Sequence, residues 1–149
     1  MRLERASGKH LGELLIEQGL ITRAQLEEAL LEQKGRPGVL IGRILVEKGT
    51  ATEENIAQAL TCQYGFPYLP LASYEIDTEV VRAVPANLCE RFCLMPIDKI
   101  GKSLTLTMAN PLNTQAIDDV ELITGCVVQS FVSTETDIRN AIKKYYGQA

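Results

Sequence analysis

The chain has 149 residues, 46% of them hydrophobic and 23% charged, with a formal net charge of −4. This is enough apolar residue for one ordinary core or two small ones, and too much for a disordered tail. The acidic balance, without a basic stretch, argues against a nucleic-acid backbone as ligand; no apolar run reaches the roughly 18 residues that cross a bilayer, and the polar start MRLERASGKH is unlike a signal peptide.

The first third contains an internal repeat. Residues 11–33 (LGELLIEQGLITRAQLEEALLEQ) align without a gap on residues 41–63 (IGRILVEKGTATEENIAQALTCQ), and eight of the 23 positions are identical. Two copies are too few for a solenoid, so the repeat reads as a pseudo-symmetric helical pair. Within copy one, Leu11, Leu14, Leu15 and Gln18 recur at helical spacing, and Gly19 suits the left-handed position after a helix end. Thr22 is a predicted N-cap and Gln25 completes a capping box. Leu26, Leu30 and Gln33 then share one face of a second helix. Copy two repeats the plan with Gly49, Thr52, Asn55 as the weaker box partner, and the face Ile56, Leu60 and Gln63. Between the copies, Lys34-Gly35-Arg36-Pro37-Gly38 breaks the helix.

After Gln63 the pattern changes. The two prolines in residues 64–71 predict an extended crossover. We place a boundary there, giving a tandem-repeat helical subdomain over 1–70 and a small α/β subdomain over 71–149. In the second part, residues 77–84 predict a short helix capped by Asp77. Pro85 is expected at the first position of another, running to about Arg91. Residues 93–100 predict a strand, Gly101-Lys102 a hairpin turn, and residues 103–109 a strand with Leu104, Leu106 and Met108 on one face. Asn110-Pro111 ends it. A helix over 114–123 closes at Gly125, a strand follows over 126–132, and Ser133 or Thr134 caps a last helix to Tyr146. The fold class is therefore α+β, two helix-turn-helix repeats followed by an αββαβα layer.

The cysteines are Cys62, Cys89, Cys93 and Cys126, and His10 is the only histidine. That is a poor ligand set for zinc, and buried thiols in a reducing compartment are the expectation. No Gly-x-Ser-x-Gly and no P-loop is present, and Asp118-Asp119 on a helix point about 100 degrees apart. Catalysis is not expected.

The tandem copies resemble the N-terminal regulatory domain of the type II secretion E and type IV pilus assembly ATPases. Some members of that family bind cyclic di-GMP through two copies of a pattern close to Arg-Leu-Gly-x-x-Leu-Leu-x-x-Gly-Leu-Leu, then Leu-x-x-x-Leu-x-x-Gln. The matching residues are Leu11, Gly12, Gly19, Leu26, Leu30 and Gln33, then Ile41, Gly42, Gly49, Ile56, Leu60 and Gln63. Residues 109–125 and the closing Ile142-Lys143-Lys144-Tyr145-Tyr146-Gly147 are similar to the segment that precedes the motor domain in that family. Where the family has its arginines this chain has His10 and Leu40; Lys9, Arg36 and Arg43 are near in sequence.

The resemblance implies a cytoplasmic, non-catalytic module at the inner-membrane face of a bacterial secretion or pilus machine, with no intrinsic cofactor. Its partners would be the ATPase motor domain, in cis or in trans, and an inner-membrane platform protein, with no nucleic acid and no direct membrane insertion. The candidate cyclic di-GMP site comprises His10, Leu11, Gly12, Leu26, Leu30, Gln33, Ile41, Gly42, Arg43, Ile56, Leu60 and Gln63. Aliphatic side chains could cover purines, glycines admit close backbone approach, and glutamines carry donor and acceptor for a base edge. On this reading Gln33→Ala or Gly12→Leu abolishes nucleotide binding and leaves the fold intact. The alternative is a docking module whose helical face binds the cytoplasmic part of the platform without nucleotide.

Overall fold

The computed structural model describes residues 11–147, apart from the side chain of Gln63. Four helices form the first part: α1 (Leu11–Glu17), α2 (Arg23–Lys34), α3 (Ile41–Glu47) and α4 (Glu53–Tyr64). The repeat is visible in backbone geometry. Gly19 and Gly49 adopt φ of 76° and 74°. Beside them, the amides of Leu20 and Thr50 donate to the carbonyls of Leu15 and Leu45, both at 3.0 Å, closing each first helix in the same Schellman-like way. Thr22 and Thr52 then open α2 and α4 with reciprocal capping boxes, and Asn55 completes its box as Gln25 does.

Leu14, Leu15, Ile44, Leu45 and Leu60 are fully buried at the centre of this part. Each such side chain contributes about 1.5–3 kcal/mol by leaving water. The matched pairs Leu14 and Ile44, and Leu15 and Leu45, thus share one core.

The chain crosses over through residues 65–70 and a short 3-10 turn (Leu71–Ser73). The second part contains α5 (Thr78–Val81), α6 (Ala86–Phe92), β1 (Leu94–Ile100), β2 (Ser103–Met108), α7 (Thr114–Thr124), β3 (Val127–Val132) and α8 (Glu135–Tyr146). This is the α+β class expected from the sequence. The sheet order is β1-β2-β3. β1 and β2 form an antiparallel hairpin around Gly101, with a register shift between Pro96 and Asp98. β3 runs parallel to β2, from Ser103 opposite Val127 to Met108 opposite Val132, and α7 makes the crossover that parallel strands require. Leu104, Leu106 and Met108 are buried with Val128 and Ile138 in one apolar cluster.

Three expectations need correction. The helix expected over 77–84 is only α5, because Pro85 disfavours helical backbone at the residue before it; the side chain of Asp77 makes no capping bond. Pro85 precedes α6 as its N-cap, with ψ of 144°, instead of occupying its first turn. Cys93 does not begin β1: it ends α6 in the left-handed region, at φ 54°, and is the one described non-glycine residue with positive φ.

The two apolar clusters divide along the chain between Phe66 and Leu71, with one exception: Val132, the last residue of β3, is buried in the cluster of the helical repeats. The crossover is tied down beside it. The amide of Leu69 donates to Val132 O and the amide of Val132 to Pro67 O, both at 2.8 Å. The Ser133 hydroxyl donates to Leu69 O at 2.8 Å. Its single proton is then committed, so the fully buried Thr107 hydroxyl must be the donor in their 2.6 Å contact.

Candidate functional site: a cleft between the second repeat and the last helix

A cleft of about 510 Å3 lies where α3 and α4 face the start of α8 and the loop after β2. Its apolar wall is built from Leu11, Leu40, Ile41, Val46, Ile56 and Ala57. Its polar wall carries Gln33, Arg43, Glu47 and Glu53 from the repeats, with Asn110, Ser133, Thr134, Glu135, Thr136, Arg139 and Asn140 opposite. The size and the mixed lining are those of a small-molecule site.

The charged residues and Gln33 are positioned partly by local structure and partly by contacts across the fold. Gln33 donates Nε2 to Val39 O at 2.9 Å, which folds the inter-copy loop back on α2 and leaves the Gln33 carbonyl oxygen as an acceptor. Arg36 does not face the cleft. It bridges Glu32 at 2.9 Å and Glu47 at 2.7 Å, and this guanidinium holds the Glu47 carboxyl below its usual range. Arg43, half exposed, lies 3.4 Å from Glu47 and 3.8 Å from Glu135. Arg139 stands one turn beyond Glu135 on α8, 3.5 Å from its carboxylate, and donates to Glu90 O at 2.6 Å. Glu53 reaches from the start of α4 to the start of α8, accepting the Thr136 amide at 3.0 Å and the Thr136 hydroxyl at 2.6 Å.

Of the residues singled out from the sequence, Leu11, Gln33, Ile41, Gly42, Arg43 and Ile56 line this cleft. The others lie elsewhere. Leu26 is buried against Gly12. Leu60 is fully buried in the repeat core, and Leu30 is 42% exposed on α2. His10 and the side chain of Gln63 lie outside the described residues, as does Lys9.

The two helical glycines serve different ends. A Cβ on Gly12 would stand 2.5 Å from Leu26 Cδ1, so the absence of a side chain at Gly12 makes room for the buried Leu26. A Cβ on Gly42 would meet only the tips of Ile56 and Leu11, at 3.3 and 3.5 Å. The expectation that Gly12→Leu leaves the fold intact is therefore corrected: the added side chain has no room. The contribution of α8 and the Ala109–Asn110 turn was not legible from the repeat alone, because nothing local to residues 11–63 shows what packs on their outer face. The thiols follow burial: it pushes Cys89 up to about 11 and Cys93 up to about 12, while Cys62 is exposed.

The fold and cleft define a class: a tandem helical repeat capped by a small three-stranded α+β layer, with a ligand-sized opening between them. Residues 64–149 match the MshEN domain model, and the chain belongs to the MshEN domain family. Among curated relatives it is 35% identical over 138 residues to the type IV pilus assembly ATPase PilB of Myxococcus xanthus, and 36% identical over 140 residues to PilB of Thermus thermophilus. Each alignment covers 93% of this chain but only 24% and 16% of those relatives. Among solved structures, MshE with cyclic di-GMP superposes with a TM-score of 0.70 at 27% identity, covering 93% of this chain and 99% of that one. The N-terminal domain of XpsE shares the fold, with a TM-score of 0.73 at 23% identity, covering 97% of this chain and 99% of that one. Among the described residues no helix is long and apolar enough to cross a membrane.

Proposed function

We propose that this chain is a non-catalytic regulatory domain of a pilus-assembly or secretion ATPase and that it binds cyclic di-GMP in the cleft over the second repeat. The observation that carries the reading is the cleft itself, which gathers Leu11, Gln33, Ile41, Gly42 and Ile56 of the family's binding pattern beside the exposed guanidinium of Arg43. The likeness to MshE solved with that nucleotide supports it. Leu11, Ile41 and Ile56 offer apolar surface to a purine, at about 25 cal/mol per Å2 covered. The Gln33 carbonyl can accept from a base edge, and Gly42 keeps that wall low. Arg43 takes the place of the family arginine for a phosphate, since Leu40 cannot. We treat 1–70 and 71–149 as the two subdomains that such a ligand would bridge. The motor domain and the inner-membrane platform are the partners on this reading, at the cytoplasmic face of the inner membrane.

Calorimetric titration with cyclic di-GMP, with GMP and cyclic di-AMP as controls, tests it. Selective low-micromolar binding is expected, weakened about ten- to hundredfold in Arg43→Ala. Absence of heat at tens of micromolar, with an unshifted melting temperature, would overturn it.

One observation favours the docking alternative. Leu30 and Leu31 are 42% and 68% exposed side by side on α2, an apolar surface that a helix of the platform protein could cover. It predicts platform binding lost in Leu31→Glu and unaffected by nucleotide.

A further inference from the structure

The cleft contains more carboxylate than guanidinium: Glu47, Glu53 and Glu135 against Arg43 and Arg139. Each carboxylate left without a cation opposes a ligand with two phosphodiester charges. Two of the three are anchored by cations, Glu47 by Arg36 and Arg43, and Glu135 by Arg43 and Arg139. Glu53 is different. No described cation pairs with it, and its partners are the amide and hydroxyl of Thr136 across the cleft.

We propose that Glu53 is a built-in competitor for the cleft and a clasp between its two walls. Its carboxylate holds the Thr136 donors that an anionic ligand would take, so ligand entry and loss of this tie between α8 and the second repeat are one event. A phosphate oxygen replaces a carboxylate oxygen at the same donors, and the displaced Glu53 swings into water without breaking an ion pair to any described cation. The wall it loosens is α8, which carries Glu135 and Arg139 and contacts α6 and the sheet. Cleft occupancy is thereby passed from the repeats into the second part of the chain. This inference rests on the reading that cyclic di-GMP enters the cleft.

Glu53→Gln tests it, because Thr52 remains to cap α4 and the side-chain size is kept. Glu47→Gln is the control for simple relief of negative charge. Two quantities are measured on the full chain: affinity for cyclic di-GMP by calorimetry, and hydrogen exchange of the Thr136 amide without nucleotide. Glu53→Gln should bind about tenfold tighter than the parent and exchange Thr136 about tenfold faster, with a smaller gain in affinity for Glu47→Gln. Equal or weaker binding by Glu53→Gln, or an equal gain in both variants, overturns the competitor while leaving the ligand reading standing. If neither parent nor variants bind the nucleotide, the ligand reading fails and the competitor role fails with it. Thr136 exchange then decides the clasp alone: a faster rate in Glu53→Gln supports it and an unchanged rate overturns it.

Discussion

Gly12 and Gly42 occupy matched positions in the two repeats, yet their surroundings make them opposites as sites of substitution. A side chain at Gly12 must displace Leu26, which is itself buried, so Gly12→Leu should cost about 3 kcal/mol by overpacking. At Gly42 the neighbours are flexible tips, and helix propensity favours alanine by about 1 kcal/mol. Gly42→Ala should therefore leave stability unchanged or raise it; urea denaturation of the two variants measures both. The buried thiols give a second prediction. Cys89 and Cys93 hold their protons more tightly folded, at about 11 and about 12, than at the ordinary value of 9.0. Their stabilisation is complete below pH 9.0 and drains away as pH rises toward those values, since the unfolded chain then binds fewer protons. Melting temperature should therefore fall as pH rises from 9.0 to about 11. The fall should be shallower in Cys93→Gly, which keeps the left-handed turn without the thiol.

Among the elements, α8 is held at both ends. Its first turn meets Glu53, and its last turn carries Tyr146, whose hydroxyl lies 2.9 Å from Val81 O, 2.8 Å from Val84 O and 3.3 Å from Cys89 Sγ. Tyr146→Phe leaves buried carbonyls short of a donor and should cost about 1–3 kcal/mol, read from chemical denaturation. What the amino-acid pattern could and could not disclose divides along the same line. Caps and turns at Gly19, Thr22, Gly49, Thr52 and Thr134 were legible because their chemistry is local. The parallel pairing of β2 with β3 was not, because alternation along a strand says nothing of its neighbour's direction. Leu30 and Leu60 share a spacing but not a fate: Leu60 is fully buried in the repeat core, and Leu30 has water beside it. Half of the candidate site faces the cleft because those residues start α1 and α3, end α2, or lie on the face of α4 turned toward it. The other wall is tertiary and leaves no mark in the repeat.

At the scale of the whole molecule, Val132 joins the two parts. It ends a strand of the sheet and is fully buried in the core of the repeats. Val132→Ala should cost about 2 kcal/mol from two lost methyl groups and the hole they leave. It should also separate the unfolding of the helical part from that of the sheet, where the parent is expected to melt in one transition, as calorimetry would show. The crossover that packs beside Val132 has a consequence for self-association. Tyr68 pairs with the end of β3, so the outer row of donors and acceptors on that strand is already partly engaged. On the other margin of the sheet, Pro96 removes an amide from β1 and the register shift after it bends the strand. A free margin of this kind is where copies of a β protein zip together into fibrils. With both margins blunted, crowding copies of this domain should not drive amyloid growth through the sheet, and any ordered assembly must be built from helix faces and side chains.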